Sequence, residues 1–206
     1  MRKYYLTTIY DRFGREADWL LVEFTSAMTT INSNLGHKAS RLSAEMCLVR
    51  LHDCWARFSR ELVILSAGGR PMTANGQTVD LAPGVHSPTQ VIPAYLATFK
   101  KNTSEPNWAV PDKTIEAAQR LKIRNYTTVS AAIGAMNSPA EEIRPIRNFL
   151  VHRNTASALE WRRKIGRTYR GQLSVEVVAG AYVNPGLIQF EKWVIDLKNV
   201  ALSAIQ

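Results

Sequence analysis

Apolar positions recur along most of this chain at the three-and-four spacing of an amphipathic helix, and the elements follow from where that spacing starts and stops. Trp19, Leu20, Val22, Phe24, Met28 and Ile31 predict a helix from Glu16 to about Asn32, ended by Asn34 and Gly36. Leu48, Leu51, Trp55, Phe58, Leu62 and Leu65 predict a long second helix from about Ser40 to Ser66, stopped by Gly68-Gly69. Such a stripe is the buried face of a packed helix or a coiled-coil seam, and the heptads are too few to favour the seam.

The stretch from Arg70 to Val85 is rich in Gly, Pro and polar residues and reads as a loop. Within it Asn75-Gly76 is a turn signal between Met72-Ala74 and Gln77-Val79, which predicts a small β-hairpin inserted at about residues 68–86. Ser87-Pro88 opens a helix through Val91, Ile92, Tyr95, Leu96 and Phe99, and shorter helices are expected at Asp112 to Leu121 and Thr127 to Met136. Ser138 as N-cap, Pro139 at the first helical position and Glu141 as the second half of a capping box start a further helix, which reaches about Asn154. Another helix covers Ala156 to Ile165. The β-branched alternation of Leu173 to Val178 predicts a short strand. Asn184-Pro185-Gly186 then begins a last helix, with Leu187, Phe190, Val194, Leu197 and Ala201 on one face. With no internal repeat and no clear boundary, the pattern predicts one all-α domain over residues 1–206, interrupted only by the hairpin loop.

Composition leaves that picture standing and adds a partner. A hydrophobic fraction of 46% against 21% charged residues suits a packed core. The net charge of +9 and a pI near 9.8 favour a polyanion such as nucleic acid, or an acidic protein. Cys47 and Cys54 lie seven positions apart on one predicted helix, roughly 10 Å along its axis, which is too far for a mutual disulfide. They read as reduced, buried thiols of a cytoplasmic protein. No Cys or His cluster has metal-ligand spacing, so no cofactor is expected. The first residues lack the apolar core of a secretion signal, and no apolar run approaches the length of a membrane span.

Chemistry concentrates on the helix that Ser138 opens. At roughly 100° per residue, Ile143, Ile146, Phe149 and Leu150 form its core sector, and Arg147, Val151, Arg144, Asn148 and His152 share the opposite one. Arg147 and His152 stand about 140° apart, at the two edges of that exposed face. One copy does not easily aim both at a single atom; two copies across a twofold axis can, with Val151 at the centre of the contact. Imidazole can move a proton to or from a ribose 2′-hydroxyl or a leaving oxygen. Guanidinium can hold two phosphate oxygens and the extra charge of the transition state. Asn148 can orient either partner. This chemistry needs no metal, and its use of the 2′-hydroxyl restricts the substrate to RNA. Pro145, just before these residues, removes one helical hydrogen bond and is expected to kink the axis.

The segment Arg147-Asn148-Phe149-Leu150-Val151-His152-Arg153 resembles the signature of the HEPN superfamily: Arg, a polar residue, three mainly apolar residues, then His. Its place on a late helix is similar too, as is the stretch from Asn107-Trp108 through Asn125 to Gly134, and the nearest likeness is to L-PSP-linked HEPN proteins. The resemblance is sharp over about a dozen residues and diffuse elsewhere. It implies a HEPN-like helical bundle, a homodimer paired through the motif helix, and a metal-independent endoribonuclease acting as a toxin or in phage defence, under an antitoxin or regulatory protein. Carried over by position, Arg147 and His152 become the catalytic pair and Asn148 the polar residue beside the arginine.

Two further groups adjoin this segment. Arg144, Arg153, Arg162, Arg163, Lys164 and Arg167, with Arg170 and the rings of Trp161 and Tyr169, either hold RNA or form a solvated helix face with Trp161 in the core. On the long helix, Asp53-Arg57 and Arg57-Glu61 have the spacing of surface ion pairs; alternatively, Arg57 and Glu61 support His152 from behind. His52 is given no role. The rival reading of the whole chain is a HEPN-like module that binds nucleic acid or protein without catalysis.

Overall fold

The computed structural model describes residues 3–34, 37–99, 104–134, 139–165, 174–184 and 186–206. The protein is mostly helical, in the order α1 (Leu6–Ser33), α2 (Lys38–Gly68), a 3-10 turn (Pro88–Gln90), α3 (Val91–Leu96), α4 (Pro111–Leu121), α5 (Tyr126–Ile133), α6 (Pro139–His152), α7 (Thr155–Ile165), α8 (Val175–Gly180), β1 (Tyr182–Asn184), β2 (Leu187–Ile188) and α9 (Gln189–Ala204). The all-α expectation holds. Helix α1 begins ten residues earlier than its apolar stripe suggests, because Leu6, Ile9 and Phe13 are also buried. Among the described residues no helix is long and apolar enough to cross a membrane.

The chain divides into two compact units, each assembled from separate stretches of sequence. Unit 1 comprises Met1–Gly14, Trp55–Ser138 and Lys198–Gln206. Its core holds a ring cluster in which Phe13 lies 6.0 Å from Trp55 and 5.4 Å from Phe58, centroid to centroid. Residue 68, the last of α2, must be glycine, because a Cβ there would stand 2.5 Å from the Ser87 carbonyl oxygen, and the chain turns away two residues later at Arg70, whose φ is 48°. The loop after α2 carries the predicted reversal at Asn75-Gly76, where the Thr73 amide donates to the Gln77 carbonyl at 2.8 Å. Pairing across it is limited to one antiparallel bridge, Met72 to Thr78. Val79, Ala82 and Val85 are buried, Met72 forms a parallel bridge with Tyr5, and the Ala74 and Ala82 amides donate to the Ile205 and Ala67 carbonyls at 2.8 Å, so burial and backbone bonds to other segments of unit 1 fasten the loop.

Unit 2 comprises Arg15–Cys54 and Pro139–Leu197. Phe24 stacks on Phe190 at 4.2 Å, and Leu20, Leu48, Leu51, Ile143, Ile146, Trp193 and Leu197 are buried with them. Within this unit Asp53 pairs with Arg147 and Glu45 with Arg153, so the first half of α2 and helix α6 lie antiparallel.

Two local expectations are corrected here. The predicted strand from Leu173 to Val178 is instead helix α8, Leu173 itself lying outside the described residues. Strand preference expresses packing against a sheet, and no neighbouring strand meets this stretch among the described residues. As a helix it buries Val178 and Ala179 completely. Asn184 and Gly186 do not start the last helix; they flank the reversal between β1 and β2, with Gly186 at φ 81° and Pro185 outside the described residues. A turn closed by a positive-φ glycine is a hairpin signal, and it moves Leu187 off the α9 face into β2.

Candidate active site

Helix α6 is placed by its apolar stripe. Ile143 and Ile146 are wholly buried, Leu150 is buried, and Phe149 packs on Trp161 at 4.5 Å between centroids. The helix runs unbroken through Pro145, whose ring is buried. Of the expected capping box, Ser138 lies outside the described residues, while the Glu141 carboxylate faces Arg144 at 3.6 Å and Lys164 at 4.0 Å. Glu142 accepts a 2.7 Å hydrogen bond from Trp193 Nε1 and ties the start of α6 to α9.

The end of α6 is a sharp turn. Arg153 takes the left-handed conformation at φ 45°, and its amide donates to the Phe149 carbonyl at 2.9 Å. Asn154 then caps α7, its Oδ1 accepting from the Ser157 amide at 2.8 Å. These two residues turn the chain so that α7 packs beside α6.

The opposite face of α6 carries the candidate chemistry. His152 is exposed, Asn148 is half-buried and Val151 keeps 47% of its surface exposed. Arg147 is one-quarter exposed, and its Nη2 lies 3.6 Å from Asp53 Oδ1 on α2. Arg144 stands between Glu141 and, at 4.0 Å, Glu160; Lys164 reaches the same two carboxylates. Arg153 meets Glu45 at 3.1 Å. Arg162 and Arg163 are exposed in the last turn of α7, and Arg167, Tyr169 and Arg170 lie outside the described residues. Trp161 is in the core, so its ring is closed to stacking on a base. Arg57 and Glu61 belong to unit 1, where the Glu61 carboxylate pairs with Arg12. Among the described residues no three His, Cys, Asp or Glu side chains gather as metal ligands would.

His52 was not singled out by its spacing, yet it stands beside Arg147. Its side chain is 7% exposed, and Nδ1 lies 3.7 Å from the same Asp53 Oδ1 that Arg147 approaches. Burial first, then the Arg147 guanidinium, push its basicity below the usual imidazole range, against the opposing pull of Asp53. Only the antiparallel pairing of α2 with α6 reveals it. A polar residue inside the apolar seam of α2, directly before an acidic one, was the available signal. No family model matches the chain, and no curated protein or solved structure is detectably similar to it.

Proposed function

We propose that the protein is a metal-independent endoribonuclease of the HEPN type, with a composite site formed by two copies of α6 across a homodimer contact. The observation that carries this reading is the motif face itself: guanidinium, amide and exposed imidazole on one side of a helix whose other side is buried. Exposed apolar side chains border it. Val151 stands on α6, and Leu42 and Met46 on α2 flank Glu45, the partner of Arg153. Uncovered large apolar residues beside polar chemistry are what a self-association surface needs. In the dimer, His152 exchanges the proton of the 2′-hydroxyl or of the leaving oxygen, and Arg147 holds the phosphate. The activity fits a toxin or phage-defence effector restrained by a regulatory protein, acting in the cytoplasm.

His152→Ala is expected to lower RNA cleavage in EDTA by at least about a hundredfold, with circular dichroism and elution volume unchanged. Val151→Glu is expected to yield monomer and lose cleavage together. Full activity in a carefully purified His152→Ala protein, or an active monomer of Val151→Glu, overturns the proposal. One observation favours a second reading, a binding module without catalysis: Arg144, Arg147 and Arg153 each already face a carboxylate. Retention of RNA with no cut products supports that rival.

A further inference from the structure

Two cationic or potentially cationic groups converge on one oxygen. Arg147 Nη2 is 3.6 Å from Asp53 Oδ1, and His52 Nδ1 is 3.7 Å from it. Both distances exceed a hydrogen bond by less than about 1 Å. Beside this oxygen, both ring nitrogens of His52 and the Nε of Arg147 are buried and within hydrogen-bond distance of no partner among the described residues, and the same holds for the Nε of Arg144, whose charge acts on the His52 ring. Buried polar groups are ordinarily satisfied, so these nitrogens keep the capacity to bond a water or a partner that shifts toward them.

We propose that His52 is a positioning residue for Arg147, the partner to which Asp53 is handed when Arg147 turns to a substrate phosphate. This rests on the ribonuclease reading of α6. In the substrate-free protein Asp53 holds the guanidinium back. As Arg147 engages phosphate, the Asp53 carboxylate, half of whose side chain is exposed, keeps water on its open side and loses a donor on the side that faces the buried His52 ring. His52 Nδ1–H, on the adjacent residue of α2, supplies the missing donor with a movement of about 1 Å. The imidazole suits this task because it is neutral: the charged groups facing it are Asp53 on its own helix and Arg144 and Arg147 on α6, and the two guanidiniums, with burial, resist its protonation. A neutral donor neither repels Arg147 nor competes with it as a cation. Phosphate bound by Arg147 lowers the positive field at the ring, so substrate binding also eases its protonation.

The role predicts a pattern that simple packing does not. His52→Leu removes the alternative donor, so Asp53 retains Arg147 more firmly and the KM for RNA rises about tenfold, with kcat within about twofold. His52→Asn keeps an amide donor near the Nδ1 position and restores KM. Asp53→Asn added to His52→Leu releases Arg147 and also restores it. An unchanged KM in a folded His52→Leu protein, or a raised KM that neither second change relieves, overturns the proposal. A readout without cleavage separates this from failure of the ribonuclease reading. In an NMR titration of the intact protein, Arg147→Met is expected to move the His52 pKa upward. The wild-type value is expected to rise on adding a non-cleavable 2′-deoxy oligonucleotide. A His52 titration indifferent to both sinks the hand-over whether or not the protein cuts RNA; absence of cleavage with both shifts present sinks only the enzymatic reading.

Discussion

Arg153 bears two demands at once. Its left-handed backbone, at φ 45°, ends α6 and lets Asn154 cap α7, a conformation that glycine adopts without the steric penalty of a Cβ. Its side chain pairs with Glu45 at 3.1 Å but is 65% exposed, so that ion pair is screened and contributes little. Arg153→Gly is therefore expected to raise stability by about 0.5–1 kcal/mol, read as a higher urea midpoint at unchanged slope. If Arg153 also grips RNA, the same variant binds RNA less tightly while being more stable. A loss of stability would mean that the pair with Glu45 outweighs the backbone strain.

At the scale of elements, a glutamate shows how the packing of unit 1 depends on pH. Glu105 faces Arg60 and accepts a 2.7 Å hydrogen bond from Trp108 Nε1, linking the segment before α4 to α2. Burial alone would raise its pKa, but these two donors outweigh burial and hold it below the ordinary 4.5. The sign follows from linkage: the stabilisation is present above the unfolded-state pKa and is lost as pH falls through the lower folded value. Glu105→Gln is expected to flatten the acid limb of the stability curve below about pH 4.5, with the largest deficit near neutrality. Identical acid limbs in the two proteins would show that the contact contributes nothing. Periodicity alone made the long elements legible, because one buried stripe suffices to define α2 or α6. It placed Ile143, Ile146 and Leu150 inside and Val151 outside. It misjudged the stretch from 173 to 188, where local β preference competes with a core that accepts Val178 and Ala179 on a helix. The candidate site was legible only in the part that lies on α6. Asp53 and His52 join it through the alignment of two helices about a hundred residues apart, and no local spacing encodes that alignment.

For the molecule as a whole the excess is nine positive charges, yet among the described residues four cations on and beside α6 already face carboxylates. Arg144 and Lys164 share Glu141 and Glu160, Arg147 faces Asp53 and Arg153 faces Glu45. Among the described residues no carboxylate is paired with Arg162 or Arg163, which project from the last turn of α7. If RNA is the partner, these two release counterions most directly, because a cation already neutralised by a carboxylate must first give up that pair. The logarithm of RNA affinity should fall linearly with the logarithm of salt concentration. Replacing both Arg162 and Arg163 by Ala should reduce the slope by about 1.4, at roughly 0.7 per lost contact with a single strand. Replacing Lys164 alone should change it less than either arginine. An RNA affinity indifferent to salt, or a slope untouched by the double substitution, would assign this surface to an acidic protein partner, because two exposed guanidiniums that gripped a phosphate chain would necessarily displace its ions.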